Sequence, residues 1–335
     1  MGYDICVVKN NYNWHERTKV YIMKKLTFFL CLFILTTAFA NQEIVYPSSG
    51  EIKTVDSWDA YVSMTFLYWQ AREEGVDLGV IGSSTIVPMD YSFCPAFKVK
   101  IGKSFSHDNW EFYGQYTRYY SKDKKAAVAP EGSSLVLNGD LDAVLFKEAS
   151  NYWQLKFNVM DLRLQRLCYL GEKLVLAPVM ALKACWINQH YNAIGVVDDN
   201  EIICNSYISS WGIGPSAGVL MNWTLGKGFY LFDTLYLGAL YQKFRTSWSE
   251  LDAYASLQKS MLNLNFETEA GIGWGTYCNN ERWHYDVYFS YNFLAFSEQN
   301  MMKYLMVWYL SRDMIQPVIS NLYLQGLNLS MRFDF

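Results

Sequence analysis

Apolar and polar side chains alternate with a period of two along much of this chain, the spacing that puts one set on each face of a β-strand. Between Leu262 and Trp274 the residues Leu262, Leu264, Phe266, Thr268, Ala270, Ile272 and Trp274 form one set, while Asn263, Asn265, Glu267 and Glu269 take the other face. From Trp283 to Phe293, Trp283, Tyr285, Val287, Phe289, Tyr291 and Phe293 oppose His284, Asp286, Ser290 and Asn292. At the end of the chain Leu327, Leu329, Met331, Phe333 and Phe335 oppose Asn328, Ser330, Arg332 and Asp334. A fourth stretch, Trp153 to Val159, sets outward apolar residues against Gln154, Lys156 and Asn158, then slips phase near Met160, as a bulge or a membrane rim would produce.

Extended along the chain, the pattern predicts ten strands, over 58–70, 92–103, 109–120, 151–169, 173–188, 206–225, 229–247, 261–277, 282–295 and 321–335. Soluble strands cluster near five or six residues, whereas strands tilted across a bilayer need roughly nine to eleven. The lengths therefore favour spanning strands over an exported sandwich, whose apolar faces would have to pack on one another. Tight turns are expected at Ser106–Asn109, Gly171–Lys173, Gly226–Gly228 and Asn279–Glu281, and long links at 71–91, 121–150, 189–205, 248–260 and 296–320. Short turns on one side, long loops on the other and both termini on the short-turn side describe an outer-membrane barrel. A further hairpin in 121–150, around Leu135 to Leu137, or in 296–320 would raise the count to twelve. The expected fold is thus all-β, a transmembrane antiparallel up-and-down β-barrel of about 10 to 12 strands.

The composition fits this picture and removes others. The 335 residues carry 28 Lys and Arg against 32 Asp and Glu, a net of −4, which argues against a nucleic-acid partner. No apolar run reaches the about 18 residues that a spanning helix needs, and residues 301–310, MMKYLMVWYL, are expected to fold over the pore or form an exposed contact patch. The chain has 12 Trp, 26 Tyr and 20 Phe, and a barrel gives such aromatics a home in girdles at the headgroup layers. Trp58, Tyr68, Trp69, Trp110, Tyr119, Tyr120, Trp153, Trp186, Trp223, Trp274 and Trp283 lie near predicted strand ends, and about two thirds of them are expected to be girdle residues.

From Met23 the sequence has Lys24 and Lys25, an apolar stretch and Ala38-Phe39-Ala40, the form of a cleavable signal peptide over residues 23–40. Residues 1–22 fit no targeting segment and are expected to be a mis-assigned extension, leaving 41–335 as the barrel. That mature part holds 23 Lys and Arg against 30 Asp and Glu, with cysteines at 94, 168, 185, 204 and 278. Export permits disulfides, and an odd number leaves at least one thiol free or paired between chains.

Three segments carry a resemblance: Phe66-Leu67-Tyr68-Trp69-Gln70-Ala71, Asn151-Tyr152-Trp153-Gln154-Leu155-Lys156-Phe157-Asn158, and Asn321-Leu322-Tyr323-Leu324-Gln325-Gly326-Leu327 with Met331-Arg332-Phe333-Asp334-Phe335. With them the chain resembles the major-outer-membrane-protein-like, pore-forming family first described from Legionella and also found in chlamydia-related bacteria. The resemblance implies a surface-exposed barrel that admits small solutes and can be disulfide-linked to neighbours. Phe333 and the terminal Phe335, closing an alternating strand, are similar to the signal by which the barrel assembly machinery recognises its clients. The partners expected are therefore outer-membrane lipid, that machinery, small solutes and further copies of the chain.

No catalytic or cofactor motif competes with this reading. There is no GxSxG sequence and no phosphate loop, and His284 with Asp286 are two apart on one face, as polar lining residues would be. Glu267 and Glu269 stand about 7 Å apart along one strand, which suits a cation-attracting lining better than an acid and base across a scissile bond. The expected pore lining is Lys98, Lys100, Glu111, Lys156, Lys183, Glu267, Glu269, His284, Asp286, Arg332 and Asp334. Both signs are present, which argues for a modest preference among small solutes and for a porin with passive diffusion. In a narrow barrel the same charges can pair across the interior and close it, leaving a non-conducting surface barrel that acts as an adhesin or structural protein.

Overall fold

The computed structural model describes residues 52, 54, 58–82, 85–105, 108–138, 144–197, 200–251, 253–302, 305 and 320–335. The expected extension at 1–22 and signal peptide at 23–40 lie outside them, as do most of residues 301–310 and the rest of the link to 319.

The strands are β1 (Ala60–Glu73), β2 (Gly79–Ile81), β3 (Thr85–Val87), β4 (Phe93–Phe105), β5 (Trp110–Val128), β6 (Leu135–Leu137), β7 (Glu148–Arg166), β8 (Cys168–Leu170), β9 (Leu174–Val197), β10 (Asn200–Gly226), β11 (Phe229–Glu250), β12 (Ala253–Cys278), β13 (Trp283–Asn300) and β14 (Ser320–Asp334). Ten of them form a closed antiparallel ring in the order β1-β4-β5-β7-β9-β10-β11-β12-β13-β14, with β14 returning to β1. The short β8 prolongs the wall beyond β7 and pairs with the start of β9. The strand expected around Leu135 to Leu137 exists, but it joins β2 and β3 in a separate three-stranded sheet, so the described wall has ten strands.

At the end holding the termini, the turns are tight because their residues accept left-handed backbone: Asp108 and Asn109, Gly171, Lys227 and Gly228, and Asn279 to Glu281 all have positive φ. At the other end the strands outrun the sequence expectation. β9 continues to Val197 and β10 begins at Asn200, within the stretch expected to be a long link. At 27 residues β10 is about 90 Å long at ~3.4 Å per residue. Only about nine to eleven residues are needed to cross a bilayer, so its outer part stands clear of the membrane.

That difference explains a reversal of polarity along the wall. On the inner half of β7, Met160 and Leu162 point out while Asp161, Arg163 and Gln165 point in. On its outer half Lys156 and Gln154 point out while Trp153, Leu155, Phe157 and Val159 are buried inside. The strand itself never slips: β7 pairs with β5 and β9 without a register shift, so of the two causes expected near Met160 the bulge is absent and the membrane rim remains. What changes is the solvent outside. Below the rim the wall meets lipid and encloses polar groups; above it the wall meets water and encloses an apolar core. β9 shows the same change, with Leu182 and Trp186 outward below and Asn188, His190 and Asn192 outward above, opposite Ile187, Tyr191 and Ala193 inside.

The outer core gathers Leu67, Trp69, Tyr119, Trp153, Phe157, Phe244, Trp248 and Phe296 from the wall, Val76, Leu78 and Met89 from the first link, and Phe146 from the next. Met301, Met302 and Leu305 are buried in it, so the described part of the 301–310 run folds into the barrel mouth. Tyr91 helps to seal it, donating its hydroxyl to the Glu73 carbonyl at 2.7 Å and meeting the Trp153 ring edge-on at 5.9 Å. Burial, with the Asp77 and Glu73 carboxylates nearby, pushes the Tyr91 hydroxyl up, so it remains a donor at physiological pH.

Trp69, Tyr119 and Trp153 are therefore core residues, correcting their expected place in a girdle. The girdle itself is real elsewhere: Trp186 and Trp211, paired across β9 and β10, mark the outer rim, and Trp223, Trp274 and Trp283 the inner one. Trp211 and Trp223 are twelve residues apart on one strand, about 30 Å of height at the usual tilt, close to the ~25 Å apolar band of such barrels.

Candidate functional site: the barrel interior

Strands that alternate strictly aim every second side chain at the axis, so the polar inner half is filled from all ten strands. Nearest the termini, Arg332 of β14 donates from Nε and Nη2 to Asp334 Oδ1 at 2.9 and 2.7 Å, with its guanidinium 3.7 Å over the Tyr61 ring. Its Nη1 lies 3.8 Å from Glu111 Oε1, and Glu111 accepts from Gln165 at 3.0 Å. His284 Nδ1 stands 3.2 Å from Asp334 Oδ2, while Asp286 accepts from the Tyr230 hydroxyl at 2.7 Å. His284 and Asp286 share the interior face as expected, yet each takes a different partner.

Around this layer and above it opens a cavity of about 810 Å³, lined among others by Arg332, His284, Lys98, Lys100, Tyr113 and Glu269, and reaching Lys227 and Gly228 of an inner-end turn. Its outer boundary is a sheet of charge. Glu267 of β12 accepts from Lys183 of β9 at 2.9 Å and from Arg163 of β7 at 3.1 Å. Asp161 lies 3.4 Å from Arg163 and 3.5 Å from Lys183, and Lys98 of β4 lies 3.5 Å from Glu269. Glu269 also accepts from Asn328 at 2.8 Å and from Ser290. In a ring of ten strands β7 and β12 are four apart, as are β4 and β12, so these bonds cross the lumen instead of running along its wall. The outer apolar core lies directly beyond: Trp69, Phe157, Val159 and Leu294 share a gap of only about 10 Å³ with Lys98, Asp161, Lys183 and Glu267.

Lys98, Lys100, Glu111, Lys183, Glu267, Glu269, His284, Asp286, Arg332 and Asp334 thus all face the interior. Lys156 does not: it is exposed on the outer surface of β7, a correction with the same cause as that for Trp153, since the polar set of that stretch faces the headgroup layer and the water beyond it. The sequence pattern misses Asp161 and Arg163 because they follow the supposed slip; uninterrupted alternation from Val159 places both inside. Phe333 is exposed beside Trp283, and the Phe335 backbone bonds to Ala60, closing the ring at its last residue. Among the described residues no disulfide joins Cys94, Cys168, Cys185, Cys204 and Cys278, and Cys278 is exposed at an inner-end turn.

A family model described as the Legionella pneumophila major outer membrane protein precursor matches residues 53–335. The chain belongs to this major outer membrane protein family. The Legionella-type barrel therefore sits in the outer membrane, with its tight turns toward the periplasm and its long strand ends outside. Solved structures similar to it include the outer membrane protease OmpT of Escherichia coli, at 8% identity over 85% of this chain and 100% of that one, with a TM-score of 0.47. A major outer membrane protein of Thermus thermophilus is 14% identical over 82% of this chain and 99% of its own, with a TM-score of 0.34. The Yersinia pestis attachment invasion locus protein Ail is 9% identical over 82% and 97%, with a TM-score of 0.23. No curated protein matches the chain.

Proposed function

We propose that this major outer membrane protein is closed to through-diffusion in its resting state and serves as a non-conducting surface barrel. The observation that carries this reading is the pair of barriers in series: ion pairs that cross the lumen from Glu267 and Glu269, and the apolar core filling the mouth above them. A solute arriving from outside would have to displace buried Trp and Phe side chains before reaching water again. Ten strands fall between the eight whose interior side chains fill and the sixteen that leave an aqueous channel.

The porin reading keeps one observation in its favour. The cavity of about 810 Å³ is charged and open at the periplasmic end, and part of the core comes from links between strands, which can move without opening the wall. Catalysis has less support. His284 and Asp334 form a pair, but a Cβ built on Gly275 would lie 2.7 Å from His284 Nε2, so that nitrogen sits against backbone instead of a nucleophile.

Single-channel recording of the refolded mature chain in a planar bilayer tests the proposal. Folded insertion without steps is expected; discrete ohmic steps at rest would replace the closed barrel with the pore.

A further inference from the structure

We infer that the outward face of β5 and β7 binds the phosphate groups of a lipid A-type glycolipid in the outer leaflet. Arg118, Lys122 and Lys124 alternate on the exposed face of β5, and Lys156 is exposed on β7 with Tyr120 as its cross-strand partner. Their depth follows from register and strand tilt. Arg118 pairs with Asn158 and Asn158 with Trp186, and each step along a wall tilted by about 40° climbs about 3 Å, so the lowest cation lies roughly 6 Å below Trp186, within reach of the headgroups for a long side chain. Lys156 pairs with Asn188, one outward position beyond Trp186, and the tilt brings it near the height of that tryptophan, with Lys122 and Lys124 higher on β5. The four cations therefore occupy the headgroup layer, where aromatic girdles end and lipid phosphates begin.

Among the described residues, no carboxylate lies within salt-bridge distance of any of the four; the neighbouring ion pair joins Lys125 to Asp90 instead. Tyrosines hold the ammonium groups against the wall, Lys122 at 5.6 Å from the Tyr120 ring centre and Lys124 at 5.7 Å from that of Tyr152. A wall that keeps four cations unneutralised beside its lipid contact complements an anion that resides in the membrane, and phosphate matches both guanidinium and ammonium donors. The rim is not uniformly basic. Two strands along the ring, beside β1 and β14, the carboxylate of Glu74 accepts from Asn321 and Tyr323. The glycolipid contact belongs to one side of the ring.

The test uses the full mature barrel in lipid nanodiscs, with bound lipid counted by native mass spectrometry. Bis-phosphorylated lipid A should be retained and its dephosphorylated form should not. The triple variant Arg118→Ala, Lys122→Ala and Lys156→Ala should bind roughly a hundredfold more weakly, since each cation near an anionic surface contributes about fivefold. Equal retention of the dephosphorylated lipid, or of phosphatidylglycerol, by the unaltered chain would overturn the inference, as would a folded triple variant that binds lipid A normally. If the variant loses the heat-modifiable mobility of a folded barrel, the comparison of lipids on the unaltered chain decides alone.

Discussion

Replacing Glu267 with Gln removes one charge from the centre of the transverse cluster while preserving its shape. In the intact protein the carboxylate meets two ammonium and guanidinium donors at 2.9 and 3.1 Å, with side-chain exposures of 1% for Lys183, 4% for Arg163 and 5% for Glu267. At an effective dielectric of about 20, each contact is worth roughly 5 kcal/mol of gross attraction. Most of that is offset by the several kcal/mol that each ion lost on leaving water, so the expected cost of Glu267→Gln is the ~3–5 kcal/mol typical of a broken buried pair. Asp161 remains to neutralise one cation, and the other is left uncompensated. Urea unfolding in detergent, followed by tryptophan fluorescence, should show this loss for Glu267→Gln and for Lys183→Met separately. The double variant should then cost less than the two together by at least about 1 kcal/mol, because it removes the opposed charges jointly. Additive losses, or a Glu267→Gln protein within ~0.5 kcal/mol of the original, would show that water in the cavity already screens the cluster and that it is no barrier.

Trp153→Ala should cost about 3–5 kcal/mol in the same unfolding assay, since Trp153 is fully buried in the outer core and bonds Gln189 at 3.0 Å; it should also introduce intermittent conductance if that core is the seal. Leu237→Arg, in the outward apolar run of β11 from Leu235 to Tyr241 and paired with Ala217 midway between Trp211 and Trp223, should cost about 2–4 kcal/mol when refolding into bilayers is measured. In a cysteine-free background, Thr224→Cys on the inward face of β10 lines the periplasmic cavity and should react with a membrane-impermeant maleimide only after the outer membrane is permeabilised. Labelling on intact cells would mean that the barrel is open from outside.

All ten wall strands and the four tight turns are legible in the sequence, because period-two alternation and turn residues are local signals. The faces of β12, β13 and β14 are legible too: Leu264, Phe289 and Met331 are exposed, while Glu267, His284 and Asn328 are buried. The outer part of β7 comes out reversed because alternation gives a period without a sign. Trp153, Leu155 and Phe157 look like a lipid-facing set, and only the other strands, by enclosing them, show that their surroundings above the rim are water and core. The charged layer is half legible for a related reason. Glu267 and Lys183 lie on different strands, and their meeting depends on a barrel narrow enough for side chains to reach across, which no local pattern records.

The reversal of polarity along the wall also sets a waterline. Sliding the barrel inward by one outward position would draw Lys156 and Asn188 toward hydrocarbon; sliding it outward would lift Trp186 and Trp211 away from the headgroups. Both displacements are opposed, so the draught of the molecule is written into its side chains and a bilayer of another thickness must bend to meet it. The protein would then act on its surroundings even when nothing passes through it, imposing a fixed local thickness on the lipid that touches it.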